Sequence, residues 1–357
     1  MLPARQVAIA VPVRDEEERL PACLAALDRA AGVWEAGGGG PVTIVALANQ
    51  CRDGSVRLLR DTRLRHATLA WRAVSLLPGC RHAGWARRLA FDAAADLLAA
   101  DDDLLLSTDA DTLVAPDWLV RNAACLSGAD AVAGRAVTIR AERAATGAAG
   151  HRRLDLLGRY YTALDYLRSA RDPGAEPWPR HYYEGGASIA LTRGLYRRIG
   201  GAPTPPLAED RALFESIRAA GGRVRHPVDV RVATSCRLDG RAPGGMADTV
   251  ALWVAQGEGE PLHDTYRLPV ALDPDLAVAA DRLSFATLPA ALAEAQRLVR
   301  RHRSGTAPQV EPITVVPVAA PLDHRVAEQI AQFGDRAVAG LGIVGLPRPV
   351  DQQQVPA

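Results

Sequence analysis

At 357 residues and 37.9 kDa, the chain is long enough to bury one large core or two modest ones. Its 48% hydrophobic and 23% charged residues exclude wholesale disorder. With 42 basic and 41 acidic side chains the net charge is +1, which disfavours a nucleic-acid binder working through bulk charge. Every basic residue is Arg, which reads as a coding bias and weakens the evidence of any single Arg. Cys23, Cys51, Cys80, Cys125 and Cys236 are odd in number and never spaced as CxxC, as expected of reduced thiols in a cytoplasmic protein. No uncharged apolar run approaches the roughly 20 residues of a membrane-spanning helix. Peripheral membrane contact stays open.

In chain order, the apolar run VAIAVPV predicts a buried strand, and the acids after it predict the N-terminus of a helix reaching about Ala31. A second strand is expected over residues 42–48, a helix over 53–63 and a third strand over 68–73. An Ala-faced helix over 84–100 precedes a short strand, Leu104 to Leu106, that ends at Ser107-Thr108-Asp109. Pro116 suits the first turn of another helix, and residues 131–139 read as one further strand. Strands alternating with helices imply parallel βαβ units and a doubly wound sheet. Then come a helix over residues 151–171, a Pro-rich loop, HYYEGGASIALTRGLYRRIGG, and a helix, Gly-Gly turn and strand after Pro206. Beyond Gly245 the pattern is mostly helical, over residues 247–256, 289–302 and 323–339, with a frayed tail over 347–357.

Open parallel sheets bind ligands beyond the carboxyl ends of their strands. Those ends carry Arg14-Asp15-Glu16, Asn49 to Asp53, Arg81 to Arg88 and Asp109-Ala110-Asp111. No GxGxxG follows the first strand, so a dinucleotide-dependent dehydrogenase loses its support. A Walker-type phosphate loop needs a Lys that the chain lacks. Acid-x-acid triplets are common by chance, roughly five in such a chain. Asp109-Ala110-Asp111 differs by its place directly after a mid-sheet strand, where two carboxylates can hold Mg²⁺ or Mn²⁺. Glu209-Asp210 is either a helix cap or a carboxylate presented to that site as a general base.

Together these segments resemble the inverting family-2 glycosyltransferases of GT-A fold. AVPVRDEEERL is similar to their nucleotide-binding opening and ALANQCRDGS to their second-strand segment. Residues 106–111 resemble their metal motif, and GGASIALTRGLYRRIGG with LAEDRALFESIRAAGG their acceptor and base region. The match spans about residues 5–235. It departs at Asp15, where the family often has Asn, and at Asn49, where it often has an acid. The Gln-x-x-Arg-Trp motif of the processive polymerases is absent, which points to transfer of single sugars.

The resemblance implies a GT-A domain over residues 1–245, with a nucleotide-sugar half to about 112 and an acceptor half beyond it. A mostly helical extension over 246–357 would follow. Pro12, Arg14 and Glu16 would line the nucleoside, with Asn49 and Asp53 on the base or its loop. Arg87 or Arg88 would offset phosphate charge, and Arg237 and Arg241 would sit on a loop closing over the diphosphate. Asp109 would face the ribose or a Mn²⁺ or Mg²⁺ ion, and Asp111 would be its main ligand. Asp210 would be the catalytic base, with Glu209 orienting its surroundings. The partners implied are a nucleotide-diphosphate sugar and an unidentified hydroxyl acceptor. The rival expectation is a nucleotide-sugar-binding or scaffold protein on the same fold. A nucleotidyltransferase is disfavoured because no Gly-rich basic loop follows the first strand.

Overall fold

Strand β1 (Val7–Val13) sends alternate side chains into two apolar layers. Val7, Ile9, Val11 and Val13 face one layer, and Ala8 and Ala10 face the other. The computed structural model describes residues 5–171, 176, 178–242, 244–262 and 283–304. On the first face lie helices α1 (Leu20–Ala36) and α4 (Trp118–Leu126). On the second lie α3 (Ala83–Ala95), α7 (Arg193–Arg198) and α8 (Glu209–Ala219). Ala90 and Ala94 of α3 meet Ala8 and Ala10 of β1, small against small, so that helix lies close to the sheet.

Strands β2 (Val42–Asn49), β3 (Thr68–Val74), β4 (Leu104–Ser107), β6 (Ala131–Ala133), β8 (Ile189–Thr192) and β9 (Val224–Arg225) complete a seven-stranded sheet. Its order is β3-β2-β1-β4-β8-β6-β9. Only β8 runs antiparallel to its neighbours, so the sheet is mostly parallel and doubly wound, as the strand–helix alternation implies. A short helix, α2 (Ser55–Asp61), joins β2 to β3.

Two expectations are corrected. The first helix begins at Leu20, after the acids. Asp15 sits at φ 52 and Glu16 is only 7% exposed, so the chain turns to bury Glu16 before it coils. The strand expected over residues 131–139 divides at Gly134 into β6 and β7 (Arg135–Thr138). There Trp118 Nε1 donates to Ser188 Oγ at 2.9 Å. A side-chain carbon on Gly134 would fall 2.1 Å from that same oxygen, so only glycine passes at this crossing. Strand β7 joins a second, three-stranded sheet, β5-β10-β7, with β5 (Thr112–Val114) and β10 (Arg231–Thr234).

After a one-turn helix, α5 (Arg140–Arg143), comes the long α6 (Gly147–Arg171). It packs with α9 (Met246–Ala255) and α10 (Leu288–Arg303) around a separate core that includes Leu157, Tyr160, Leu164, Leu288 and Leu292. The helix expected over residues 323–339 and the tail over 347–357 lie outside the described residues. Among those described, no helix is long and apolar enough to cross a membrane.

Candidate functional site

The chain runs from β1 out to β2 and β3, then returns to place β4 on the other flank of β1. At such a reversal the strand ends open a crevice, and a cavity of about 560 Å³ lies there. The first half of the chain lines it with Pro12, Arg14, Glu16, Asn49, Arg87, Asp109 and Asp111. Glu209, Asp210, Arg237 and Arg241 come from the second half. Asp53 and Arg88 do not line it. Arg88 pairs with Asp92 at 2.7 Å and donates to the Ala202 carbonyl. Asp53 accepts from the Glu17 and Ser55 amides, which braces two loops instead.

Arg87 is the hub of the crevice floor. It lies on α3, 5% exposed, and donates to Asp109 Oδ1 at 2.8 Å, Glu209 Oε1 at 3.2 Å, Ser107 Oγ at 3.1 Å and the Gly186 carbonyl at 3.2 Å. Burial opposes its charge, but the carboxylates of Asp109 and Glu209 outweigh burial and hold the guanidinium above its ordinary pKa. A side-chain carbon on Gly186 would meet Arg87 Nη2 at 2.0 Å, so this approach requires glycine. Arg87 is therefore committed within the protein. Arg87→Met should cost about 3 kcal/mol in urea unfolding, because it strands the part-buried carboxylates of Glu209 and Asp109. A loss below about 1 kcal/mol would instead mark the pair as surface-like.

Arg14 makes no ion pair among the described residues. Arg237, by contrast, pairs with both oxygens of Glu16 and lies 3.3 Å from Asp111 Oδ2. Its loop is pinned by Glu142, whose Oε2 accepts from Ser235 Oγ at 2.5 Å and from the Cys236 amide at 3.0 Å. Arg241 Nε donates to the Asp15 carbonyl. Asn49 Nδ2 donates to the Val13 carbonyl at 3.0 Å, tying the ends of β1 and β2 together. Burial, then the charges of Asp109 and Glu16, raise Asp111 from 3.8 to about 7 against the pull of Arg237. That crowding of oxygen donors suits a hard divalent cation, which would relieve it.

A second acidic group, Asp15, Cys51 and Asp53, brings three ligand atoms within 4.8 Å of one another. Its carboxylates already serve backbone amides: Asp15 Oδ1 accepts from Arg52 N at 2.6 Å, besides the two bonds of Asp53. The group reads as a loop clasp.

Asp210 opens α8. Its Oδ2 accepts from the Gly186 amide at 2.9 Å and its Oδ1 from the Arg211 amide at 2.8 Å. Burial, then the neighbouring Glu209 charge, raise its pKa. Ala208 immediately before α8 lies at φ 57, in the left-handed region. Gln50 (φ 47) and Asp15 are the other non-glycine residues there among those described, each just past a strand end. Tyr183 is packed beside this acid pair, and burial, with the Asp210 and Asp109 charges, pushes its phenol up.

A larger cavity, about 820 Å³, abuts the first, and Tyr183, Thr234, Met246 and Trp253 line both. Its wall includes His181, 4% exposed, whose Nδ1 accepts from the Tyr183 amide at 3.2 Å. The neutral ring therefore carries its proton on Nε2. Burial, then His226 and Arg135, lower His181 from 6.5 to about 3, opposed by the Ala133 carbonyl. Between those pH values the unfolded ring binds a proton and the folded one does not. Stability is thus full above pH 6.5 and falls on acidification, by up to about 1.4 kcal/mol per pH unit. Urea unfolding at pH 7, 6 and 5 should show His181→Gln losing less stability than the parent. Parallel losses would place the ring's proton uptake elsewhere.

The sequence matches no protein-family model and no curated protein. In structure the chain is similar to a mannosyltransferase from Pyrobaculum calidifontis solved with GDP-Man and Mn²⁺, at 19% identity over 94% of this chain and 81% of that one, TM-score 0.43. It is also similar to S. aureus TarS, at 14% identity over 88% of this chain and 94% of that one, TM-score 0.42. A third is the glucosyl-3-phosphoglycerate synthase of M. tuberculosis, at 17% identity over 80% and 92%, TM-score 0.39. Similarities this distant assign no activity to the chain.

Sequence reasoning missed Glu142, Tyr183 and His181. Glu142 is one acid among 41, and nothing in its neighbours marks it as the anchor of a loop more than 90 residues away. Tyr183 and His181 lie in the HYYEGG segment, where neither residue type nor spacing marks the rings as lining a cavity.

Proposed function

We propose that the chain transfers a single sugar from a nucleotide-diphosphate sugar to an acceptor hydroxyl, with inversion, on a GT-A glycosyltransferase fold. The observation that carries this reading is the convergence of Asp109, Asp111 and Asp210, from opposite halves of the chain, on one crevice at the switch point of the sheet. Pro12, Glu16 and Asn49 receive the nucleoside, and Arg14 is a cation open to the diphosphate. Asp111, with Asp109, would hold Mn²⁺ or Mg²⁺, which when bound supplies Lewis-acid stabilisation of the departing diphosphate. The acceptor oxygen bonds to the anomeric carbon as the carbon–diphosphate bond breaks on the opposite side. Asp210 takes the hydroxyl proton, burial having raised its pKa above the ordinary carboxylate value. Glu209 is held by Arg87 and acts as a positioning residue.

Release of nucleoside diphosphate from a panel of UDP-, GDP- and dTDP-sugars, with and without EDTA, tests the reading. One nucleotide should be released, and EDTA should suppress it. Binding without release from any donor would favour the non-catalytic alternative, and full activity in EDTA would remove the metal.

A further inference from the structure

The larger cavity has a composition that the donor site does not explain. Its walls are apolar and aromatic, with Leu157, Tyr161, Tyr166, Trp178, Trp253 and Val299 among them. Set into these walls are Arg135, Arg143, Arg159, Arg300 and Arg303, against the acids Asp155 and Asp165. None of the five guanidiniums pairs with a carboxylate among the described residues. Arg303 lies over the Tyr166 ring at 4.8 Å, and Arg143 Nε donates to Thr138 Oγ1. His181 adds a buried ring to the same wall.

A cavity of this size takes a drug-sized molecule. A free sugar would leave its hydroxyls against aromatic and aliphatic walls, and burying polar groups without partners is costly. A cation would meet unpaired guanidiniums. An oxyanion on an apolar body satisfies both features, since guanidiniums pair well with carboxylate and phosphate. Tyr183 lines both cavities and so stands between this one and the acid pair of α8.

We propose that this cavity seats the acceptor, and that the acceptor is an amphiphilic acid: an apolar body of rings or chain bearing a carboxylate or phosphate, its reacting hydroxyl at the Tyr183 end. The proposal rests on the first cavity being the donor site.

The probe is 8-anilinonaphthalene-1-sulfonate, an apolar anion, titrated by fluorescence into the full chain. Its neutral counterpart, N-phenyl-1-naphthylamine, is titrated alongside. The anion should saturate one site, and Arg300→Glu combined with Arg303→Glu, both exposed positions, should weaken it at least tenfold. The neutral probe should bind the variant as it binds the parent. Decyl phosphate or decanoate should displace the anion at lower concentration than decanol, and the more effective acid identifies the anionic group. Unsaturable binding, equal weakening of both probes, or displacement by decanol as readily as by the acids would overturn the proposal. UDP and GDP titrations read the first cavity separately. If neither nucleotide binds while the anion does, the donor reading fails and the amphiphile site stands without its acceptor role.

Discussion

Asp210→Asn should lower turnover by about 10²- to 10⁴-fold while nucleotide-sugar affinity changes little. The carboxylate is held by the Gly186 and Arg211 amides, so its position is set by backbone and not by substrate. Asparagine keeps the shape and one accepting oxygen but cannot take a proton as a carboxylate does. Its amide would also face one of those two N–H groups, so amide exchange at Gly186 should rise in the variant. Glu209→Gln should act differently. It loosens Arg87 and through it Asp109, so it should raise the KM for donor more than it lowers kcat. If Asp210→Asn turns over normally and Glu209→Gln does not, the neighbour is the base. If both turn over normally, the segment is a helix cap and the inverting mechanism has no base here.

Asp111→Asn should abolish Mn²⁺- or Mg²⁺-dependent turnover and, in the same protein, raise the stability of the metal-free fold above pH 7. The two effects share one cause. Burial beside Asp109 and Glu16 lifts the Asp111 carboxyl from 3.8 to about 7, so the folded state holds a proton that the unfolded state has released. Its contribution to stability is present below about pH 4 and is lost as the pH rises to about 7, by up to about 1.4 kcal/mol per unit. The neutral amide removes that loss. Urea unfolding in EDTA at pH 5 and 8 should show the variant gaining on the parent at the higher pH. Titration calorimetry with Mn²⁺ should show binding lost or much weakened. A variant that binds Mn²⁺ as tightly as the parent moves the cation elsewhere, and one destabilised at pH 8 shows that Arg237 governs the pair instead.

How far the sequence could be read depended on how local each feature was. The first two strands were legible because each is an apolar run ended by polar residues, and Asp109 to Asp111 could be placed because they follow one. Features made by partners distant in sequence were hidden. Arg87 looked like a phosphate ligand, and its commitment to Glu209 spans 122 residues. The small sheet was missed because β5 is three residues long and finds its partner only in β10, and because Gly134 divides a continuous apolar stretch. The core between α6 and α10 joins segments with no common pattern that periodicity could reveal.

The left-handed backbone at Ala208 bears on how this site can vary between sequences. It aims the first turn of α8, and with it Glu209 and Asp210, yet its methyl group has no chemical part in the crevice. Glycine would adopt the same geometry without strain, and asparagine with little. A β-branched residue would cost about 1–2 kcal/mol or swing the helix start away from Gly186. Divergent sequences that keep the acid pair should therefore keep a small or αL-tolerant residue before it. A valine there, with both acids intact, would be a better sign of lost activity than many changes among the charged residues themselves.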